Sequence, residues 1–394
     1  MINFNEHIEK ELRNEYGGSE KKRTVIMDDG KKYLLKFPDP TREVGKRDKL
    51  SYINNALSEY IGCKIAKSMR LPVQEVILGT YDINGKTKIA CACQDLRGEG
   101  EKLYEIEKLE LGSVDDNNSI TFEALEKIFG KIDGIDQDSI RKYYYDMFIL
   151  DTLIGNKDRH NGNWGIIEDA YGNVRMAPIF DCGSGLYPLA PDEYLPDAKN
   201  AANGTYSAIV DEHDNRIAFH KAFDDISNQG MMDALKRKLY DINLREIERI
   251  LDNIPEISDV RRNFYLDFIE SNYYETLIPA MNRITELEFQ PDQENMPSDD
   301  KLYEYYKRNI KGISELGLFE KEEYDIKGYD VEIMRVSKKY ALIFDNEVCC
   351  LALPIRSNNR EVCKVKTILS RFNDKYVNLD KNVHFSVIDN DLER

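Results

Sequence analysis

One loop of the sequence combines residue types that can carry out chemistry. It reads Gly155-Asn156-Lys157-Asp158-Arg159-His160-Asn161-Gly162-Asn163, between an apolar helical pattern and a predicted strand. Phosphoryl transfer requires a carboxylate that orients an attacking hydroxyl and accepts its proton, and an oxygen ligand that holds Mg²⁺ on the phosphates. Asp158 fits the role of catalytic base, and Asn163 fits the role of metal ligand.

The spacing within this loop and a second loop downstream support the same chemistry. Four residues separate Asp158 from Asn163, as in the catalytic loop of protein kinases. Mg²⁺ also needs a second hard oxygen ligand. Asp181 supplies it in the segment Ile179-Phe180-Asp181-Cys182-Gly183, where an apolar strand ends and a glycine follows two residues later. We therefore predict Asn163 and Asp181 as the Mg²⁺ ligands.

The remaining parts of an ATP site come earlier in the chain, in a consistent order. The segment Gly17-Gly18-Ser19 can bring backbone N–H groups close to phosphates. Lys36 lies inside a strand pattern, so its charge needs partners, which phosphate oxygens and Glu59 of the next helix would provide. The segment Gln94-Asp95-Leu96 is the predicted hinge, which offers backbone groups to adenine.

Each of these residues also has an interpretation without function. A glycine pair is often a simple turn, Lys36 could extend from an edge strand into solvent, and Glu59 could be a solvated helix residue. Asp-rich loops form ordinary turns, and Asn156 and Asn161 are predicted only to shape their loop. The joint order of glycine loop, strand lysine, helix glutamate, hinge, Asp-x4-Asn loop and Asp-x-Gly loop nevertheless favours one ATP site.

Two other groups of residues are weaker candidates. His213 and His220, with their acidic neighbours, match the spacing of no metal site and are predicted to belong to a polar loop. Cys182 follows Asp181, and a neighbouring carboxylate disfavours the reactive thiolate. We therefore predict an unreactive Cys182.

Hydrophobic periodicity predicts the elements that position these residues. The first elements are a hairpin of strands 24–27 and 33–37, a helix over 49–69 that Leu71-Pro72 ends, and a strand pair 76–81 and 87–94. The polar segment 97–119 is predicted to be a connector. Beyond it we expect helices over 140–154, 231–240, 244–251 and 258–287, and strands 164–167 and 174–177. The last helix is expected to kink or break near Pro279.

The end of the chain has the pattern of a separate unit. Residues 290–300 are polar, contain two prolines and predict a linker. After it we expect helices over 302–316 and 361–372, and strands near 331–336, 340–344, 348–353 and 384–388. The chain is thus predicted to be an α+β protein with a small β-rich N-lobe (1–96), a helical C-lobe (97–289), the linker (290–300) and a small α+β C-terminal domain of unknown role (301–394).

Composition restricts the partners and the compartment. The 394-residue chain carries a net charge of −17, which repels nucleic acid and anionic lipid, so we expect neither direct nucleic-acid binding nor stable membrane association. Its seven cysteines form no paired motif and favour neither a disulfide framework nor a zinc site. No signal sequence or long apolar run is evident, which predicts a cytoplasmic protein.

Four motifs resemble the HipA-like serine/threonine kinases, including the shorter CtkA-like members: YGGSEKK, YLLKFP, GNKDRHNGNWG and APIFDCGSGLYP. The resemblance covers about residues 10–285 and implies a two-lobed kinase fold that uses ATP and Mg²⁺. It implies Asp158 as catalytic base, Asn163 and Asp181 as Mg²⁺ ligands, and Lys36 on the ATP phosphates. By position it also suggests that Ser19 is autophosphorylated.

The resemblance carries further expectations about the rest of the chain. It suggests membership of a toxin–antitoxin pair, with an antitoxin or a regulatory protein as partner. The chain begins almost at the glycine-rich loop, so the additional N-terminal subdomain of full-length HipA is expected to be absent. The resemblance does not extend to residues 300–394.

Three functions follow from these residues. The leading hypothesis is an ATP- and Mg²⁺-dependent serine/threonine kinase that acts on a cytosolic protein. A second is a lipid or small-molecule kinase, because Asp158-Arg159-His160-x-x-Asn163 also resembles the D-R-H-x-x-N loop of phosphatidylinositol kinases. A third is a nucleotide-binding regulatory module without turnover. The acceptor depends on the surface around the cleft and not on the ATP motifs, so it stays open.

Overall fold

The computed structural model describes residues 1–12, 22–38, 54–83, 85–109, 120–225, 227–255, 257–281 and 283, and the backbone of four strands between 320 and 354. The chain divides into two compact units, Met1–Glu286 and Leu287–Arg394. Several predicted segments lie outside the described residues: the glycine loop at 17–19, the linker, the helices over 302–316 and 361–372, and the strand at 384–388.

A six-stranded sheet forms the N-terminal part of the first unit, in the order β1-β5-β6-β4-β3-β2. These strands are β1 (Ile2–Asn3), β2 (Ile8–Leu12), β3 (Lys22–Met27), β4 (Lys32–Lys36), β5 (Val76–Ile83) and β6 (Lys86–Gln94). The short β1 pairs with β5 in parallel, and all other neighbours are antiparallel. Both predicted strand pairs are confirmed, with slightly different ends.

The two faces of this sheet have different roles. Alternate residues of the strands, among them Val25, Tyr33 and Leu35, pack with Phe4 into a buried apolar core. Successive side chains of a strand point to opposite faces. Lys36, the residue after Leu35, therefore points away from this core.

The predicted helix over 49–69 is observed as α1 (Asn55–Ser68), and residues 49–53 lie outside the described part. Its apolar stripe, which includes Ile61 and Ile65, is fully buried. The helix ends before Arg70, which has a φ of 57°, and Leu71-Pro72 follows, as predicted. The helix carries Glu59 on a buried turn.

Helices dominate the second half of this unit. They are α2 (Phe122–Phe129), α3 (Gln137–Ile154), α4 (Ala198–Asn203), α5 (Phe219–Ala222), α6 (Gln229–Lys238), α7 (Leu244–Asp252) and α8 (Asp259–Asn272). The four helices predicted over 140–154, 231–240, 244–251 and 258–287 are found as α3, α6, α7 and α8. A π-helical turn, Tyr273–Leu277, follows α8 directly before Pro279, which cannot donate a backbone hydrogen bond.

The segment predicted as a connector contains regular structure, so that prediction was wrong in part. Strand β7 (Lys102–Glu105) and a 3₁₀ turn (Ile106–Leu109) lie within it, and residues 110–119 are outside the described part. Strand β7 pairs antiparallel with β8 (Gly165–Glu168), which pairs with β9 (Val174–Met176). The partner of β7 is distant in sequence, and such pairing leaves little local signal. The predicted strands 164–167 and 174–177 are confirmed.

Two further strand groups complete the description. The hairpin β10 (Tyr206–Val210) and β11 (Arg216–Ala218) was not predicted. In the second unit, β12 (Glu320–Ile326), β13 (Tyr329–Arg335), β14 (Tyr340–Asp345) and β15 (Val348–Pro354) form an antiparallel meander. Three of these strands were predicted, whereas the charged β12 was not. Within the residues described, no helix combines the length and the apolarity that a bilayer crossing needs.

Candidate active site

Lys36 lies at the end of an interior strand and is 6% exposed. Its ammonium group donates to Glu59 Oε2 at 2.9 Å and to Asp181 Oδ1 at 2.6 Å. Glu59, on α1, is fully buried. The interpretations of Lys36 as an edge-strand residue and of Glu59 as a solvated residue are therefore wrong. We call these three side chains the cleft cluster.

Nearby positive charges determine whether the Asp181 carboxyl is ionised. Burial opposes ionisation of this carboxyl, but the neighbouring Lys36 and Arg159 lower its pKa below the usual value. Asp181 is therefore a carboxylate at neutral pH, as a Mg²⁺ ligand has to be. Its side chain is 35% exposed, so the cluster opens to solvent on this side.

The loop with Asp158 begins where α3 ends. Gly155 terminates α3 with a φ of 62°, and a Cβ atom there would lie 2.5 Å from the ring of Phe268. The Asn163 Nδ2 group donates to the carbonyl of Asp158 at 2.7 Å. This bond uses the amide nitrogen of Asn163 and leaves its side-chain oxygen for another partner.

Arg159 connects the two loops that carry the predicted catalytic and metal residues. It makes a two-point ion pair with Asp151 of α3, at 2.9 and 3.1 Å, and both side chains are almost fully buried. Its Nη1 group donates to the carbonyl of Asn163 at 2.7 Å and to that of Phe180. We call Arg159 and Asp151 the buried pair.

The buried pair was not predicted from the sequence, and its neighbour Asn156 was predicted only to shape its loop. Asn156 is fully buried, and its Nδ2 group donates to Asp151 Oδ1 at 2.9 Å and to the Asp181 carbonyl at 3.5 Å. The available signal was Asp151 itself, because a carboxylate within an apolar helix needs a cationic partner.

The Asp181 loop packs closely on α1. Asp181 adopts a φ of 60°, an uncommon conformation for a residue other than glycine. A Cβ atom on Gly62 of α1 would lie 2.6 Å from the Cβ of Cys182. A hydrogen bond with Cys182 and burial raise the pKa of the Cys63 thiol well above its usual value. Cys182 is itself fully buried, and its lack of reactivity stays a prediction.

Two residues of the predicted hinge use backbone groups in hydrogen bonds within the protein. The backbone N–H and carbonyl of Gln94 are both hydrogen-bonded, the carbonyl to Gln74 at 2.7 Å. The Asp95 N–H donates to the Lys32 carbonyl at 2.8 Å. Adenine binding by Gln94-Asp95-Leu96 stays a prediction.

The two weaker candidates, His213 and His220, belong to no group of metal-binding side chains within the described residues. His213 is exposed and lies 3.5 Å from Glu212, and His220 lies on the short helix α5. Across the described ranges, no three His, Cys, Asp or Glu side chains are grouped so that they could hold a metal ion. Mg²⁺ sites built from one carboxylate, one amide oxygen and substrate phosphates need no such group.

The fold is protein-kinase-like: it combines a curled, mostly antiparallel sheet, a strand lysine paired to a helix glutamate, and two loops joined by a buried arginine. The family model of the HipA-like C-terminal domain matches residues 15–254. The chain is 32% identical over 290 residues to the serine/threonine-protein kinase CtkA of Helicobacter pylori, which covers 71% of this chain and 87% of that protein. The chain therefore belongs to the HipA-like family.

A solved structure agrees with this assignment. The crystal structure of the proinflammatory kinase CtkA of Helicobacter pylori matches with a TM-score of 0.65 and 30% identity, over 74% of this chain and 99% of that one. The HipA of a Shewanella oneidensis toxin–antitoxin complex with HipB and operator DNA matches with a TM-score of 0.41 and 13% identity, over 69% and 66%. That likeness is too distant to carry an argument. The expected family and fold are confirmed, and the chain is an enzyme of the serine/threonine-protein kinase class.

Proposed function

We propose that the chain transfers the γ-phosphate of ATP, in the presence of Mg²⁺, to a serine or threonine hydroxyl of a protein. The observation that carries this proposal is that the residues Lys36, Asp158 and Asp181, although far apart in sequence, are connected by one network of hydrogen bonds. The cleft cluster joins Lys36 to Asp181, and Arg159 joins the Asp181 loop to the Asp158 loop.

Lys36 is proposed to contact the ATP phosphates. It is held by two carboxylates, of which Glu59 is fully buried and Asp181 is partly exposed. Glu59 thus fixes the ammonium group from the protein side, and phosphate oxygens can approach it from the open side. The ion pair with Glu59 also offsets the cost of placing a lysine at a nearly buried strand position.

The residues proposed for Mg²⁺ fit that ion. Asp181 is ionised at neutral pH, and the amide nitrogen of Asn163 is held by the Asp158 carbonyl, so its oxygen is the free end. Mg²⁺ is commonly held by one or two protein oxygens together with phosphates, and when bound it neutralises their charge.

Asp158 is proposed as the base that orients the acceptor hydroxyl and takes its proton. Its carboxylate is partly exposed, and its backbone is held by the bond from Asn163. A rigid backbone with a reachable carboxylate is what a base needs, because proton transfer requires a fixed geometry. The buried pair also restrains this loop, because Arg159 donates to the Asn163 carbonyl.

The remaining roles stay proposals of the same function. The family match includes residues 17–19, which supports phosphate binding by Gly17-Gly18-Ser19. The adenine hinge, autophosphorylation of Ser19 and a partnership with an antitoxin or regulatory protein are further parts of the hypothesis. The four described cysteines are free thiols, which fits a cytosolic acceptor and a reducing compartment.

The test uses purified full chain with Mg²⁺ and γ-labelled ATP, alone and with a cell lysate, beside Asp158→Ala and Asp181→Ala. Asp225→Ala, an exposed aspartate before α6, is the control and should behave as the natural chain. Labelled phosphoserine or phosphothreonine in protein, absent in the first two variants, supports the proposal. Label only in small organic molecules would indicate the lipid or small-molecule kinase, and ATP binding without transfer would indicate the regulatory module.

A further inference from the structure

A serine hydroxyl of the chain already lies beside the proposed base. Ser184 Oγ is 3.5 Å from Asp158 Oδ2. Ser184 directly follows the Asp-x-Gly motif, so its backbone is three residues from the proposed Mg²⁺ ligand Asp181. A hydroxyl that contacts the proposed base occupies the position that an acceptor hydroxyl needs for proton transfer.

The local backbone keeps this hydroxyl in place. Residues 182–185 form a turn in which the Gly185 N–H donates to the Cys182 carbonyl at 3.1 Å, and Ser184 is the third residue of that turn. Added Cβ atoms would lie 3.1 Å from the Ile154 carbonyl at Gly185 and 3.1 Å from Glu59 Oε2 at Gly183. Both glycines are thus closely packed, and only Ser184, between them, is partly exposed.

We propose that Ser184 is a phosphoacceptor of the chain itself and is modified within the same molecule. This inference rests on the proposed kinase function and names one of its acceptors. Ser184 Oγ forms a bond to the γ-phosphorus of ATP while the bond from that phosphorus to the β-phosphate oxygen breaks. The hydroxyl proton passes to the Asp158 carboxylate, and ADP leaves with the electron pair of the broken bond.

Two physical arguments support this step. The contact of 3.5 Å is longer than a productive hydrogen bond, but such contacts in nucleotide-free enzymes tighten when the substrate binds. A nucleophile held in the site also loses little translational entropy, so even an imperfect geometry gives a high effective concentration.

The product would limit the activity of the enzyme. A phosphoserine carries roughly 1.5 to 2 negative charges at neutral pH. At position 184 these charges lie beside Asp158, and the neighbouring turn residue Gly183 is packed on Glu59. The negative charges of the phosphoserine would repel the phosphates of an incoming ATP. Modified molecules should therefore transfer phosphate to other acceptors more slowly.

The test is peptide mapping by mass spectrometry of the full chain after incubation with Mg²⁺ and ATP, at two protein concentrations twentyfold apart. We expect phosphoserine at 184 with the same first-order rate at both concentrations, and none in Asp158→Ala. A tagged Asp181→Ala chain, which keeps Ser184 and Asp158, is mixed with the natural chain and should stay unmodified. Ser184→Thr keeps a hydroxyl and should be modified, whereas Ser184→Ala should not.

A parallel measurement separates failure of this inference from failure of the kinase function. Dephosphorylated casein is added as an acceptor, with Ser227→Ala, an exposed serine in another loop, as control. Transfer to casein should decline during preincubation with ATP in the natural chain and in Ser227→Ala, but not in Ser184→Ala. Label in casein or in another residue of the chain, with Ser184 unmodified, overturns this inference alone. Modification of the tagged chain overturns the intramolecular route, and no transfer at all overturns both proposals.

Discussion

The cleft cluster and the buried pair are two ion-pair systems of opposite design that lie side by side. In the cleft cluster one ammonium group, Lys36, faces two carboxylates, and the Asp181 side chain is 35% exposed. In the buried pair the guanidinium of Arg159 meets the single carboxylate of Asp151, and neither side chain is more than 4% exposed. The first has excess negative charge and an open side, whereas the second is balanced and closed.

This difference indicates a division of labour. An open cluster with surplus carboxylate can exchange partners and accept a cation and phosphates, because solvent and ligands reach it. A closed pair cannot exchange, and its planar arginine fork instead fixes the geometry of the groups around it. Although burial alone would lower the pKa of Arg159, Asp151 raises it well above the usual value, so the pair stays charged. We therefore expect changes in the cluster to affect mainly activity. Changes in the pair should affect stability and, because Arg159 joins the two loops, also lower activity.

The largest expected loss of activity comes from Asp181→Asn. The asparagine keeps the size of the side chain but removes its charge, so we expect phosphoryl transfer to fall by roughly 10²- to 10³-fold. The free energy of unfolding should change little, because the Asp181 side chain is partly exposed. Initial rates at saturating ATP and urea unfolding curves measure the two quantities. A strongly destabilised variant with near-normal rates would contradict the division of labour.

The next effect is on stability, from Arg159→Leu. It leaves the carboxylate of Asp151 buried without its cation, which typically costs about 3–5 kcal/mol of unfolding free energy. Urea unfolding followed by tryptophan fluorescence measures this loss, since the single tryptophan, Trp164, is buried close in sequence to the loop. Arg216→Leu, which removes an exposed arginine whose guanidinium donates to the Lys157 carbonyl, is the matched control and should cost far less.

The sequence predicted the pairing of Lys36 with Glu59 in the cleft cluster but did not predict the buried pair. The contact between Lys36 and Glu59 was predictable because a strand lysine followed by a helix glutamate belongs to the ordered series of ATP-site motifs in this chain. Arg159 stands inside the same loop as Asp158, yet its partner lies in the preceding helix. The sequence order does not reveal which way the arginine points, so this contact required the fold.

Secondary structure shows the same limit. The hairpin of β3 and β4 and the long helix α3 were predictable because their signals are local: alternation, turn residues and a terminal glycine. Strand β7 was not, because it forms only by pairing with β8, more than fifty residues later. Strand β12 was not predicted because its sequence, EKEEYDI, is mostly charged and lacks the apolar alternation of a strand. Local pattern thus predicted the scaffold, whereas pairings between distant segments had to be observed.

Removing both charges of the buried pair sharpens the comparison. In Arg159→Leu/Asp151→Leu no charge is left buried, and replacing a buried ion pair by apolar residues is often close to neutral. We therefore expect the double variant to regain part of the stability that Arg159→Leu loses, since the buried Asn156 amide still lacks the Asp151 oxygen to which it donates. Phosphoryl transfer should remain low, because the Asn163 and Phe180 carbonyls still lack the donor that joins the two loops. Recovery of both stability and activity would show that the buried pair does not position the Asp158 and Asp181 loops.

The smallest expected effect is the pH dependence of the cleft cluster. The folded-state pKa of Asp181 lies below the unfolded value of 3.8, so its ion pair with Lys36 stabilises the fold above pH 3.8 and is lost as the pH falls through the folded pKa. The difference in unfolding free energy between the natural chain and Asp181→Asn should thus be constant from about pH 7 to 5 and vanish at lower pH. Urea unfolding of both chains across this range measures it. A difference that grows on acidification would mean that Asp181 is protonated more readily in the folded chain, and the cluster would then lack the ionised carboxylate on which its proposed Mg²⁺ site depends.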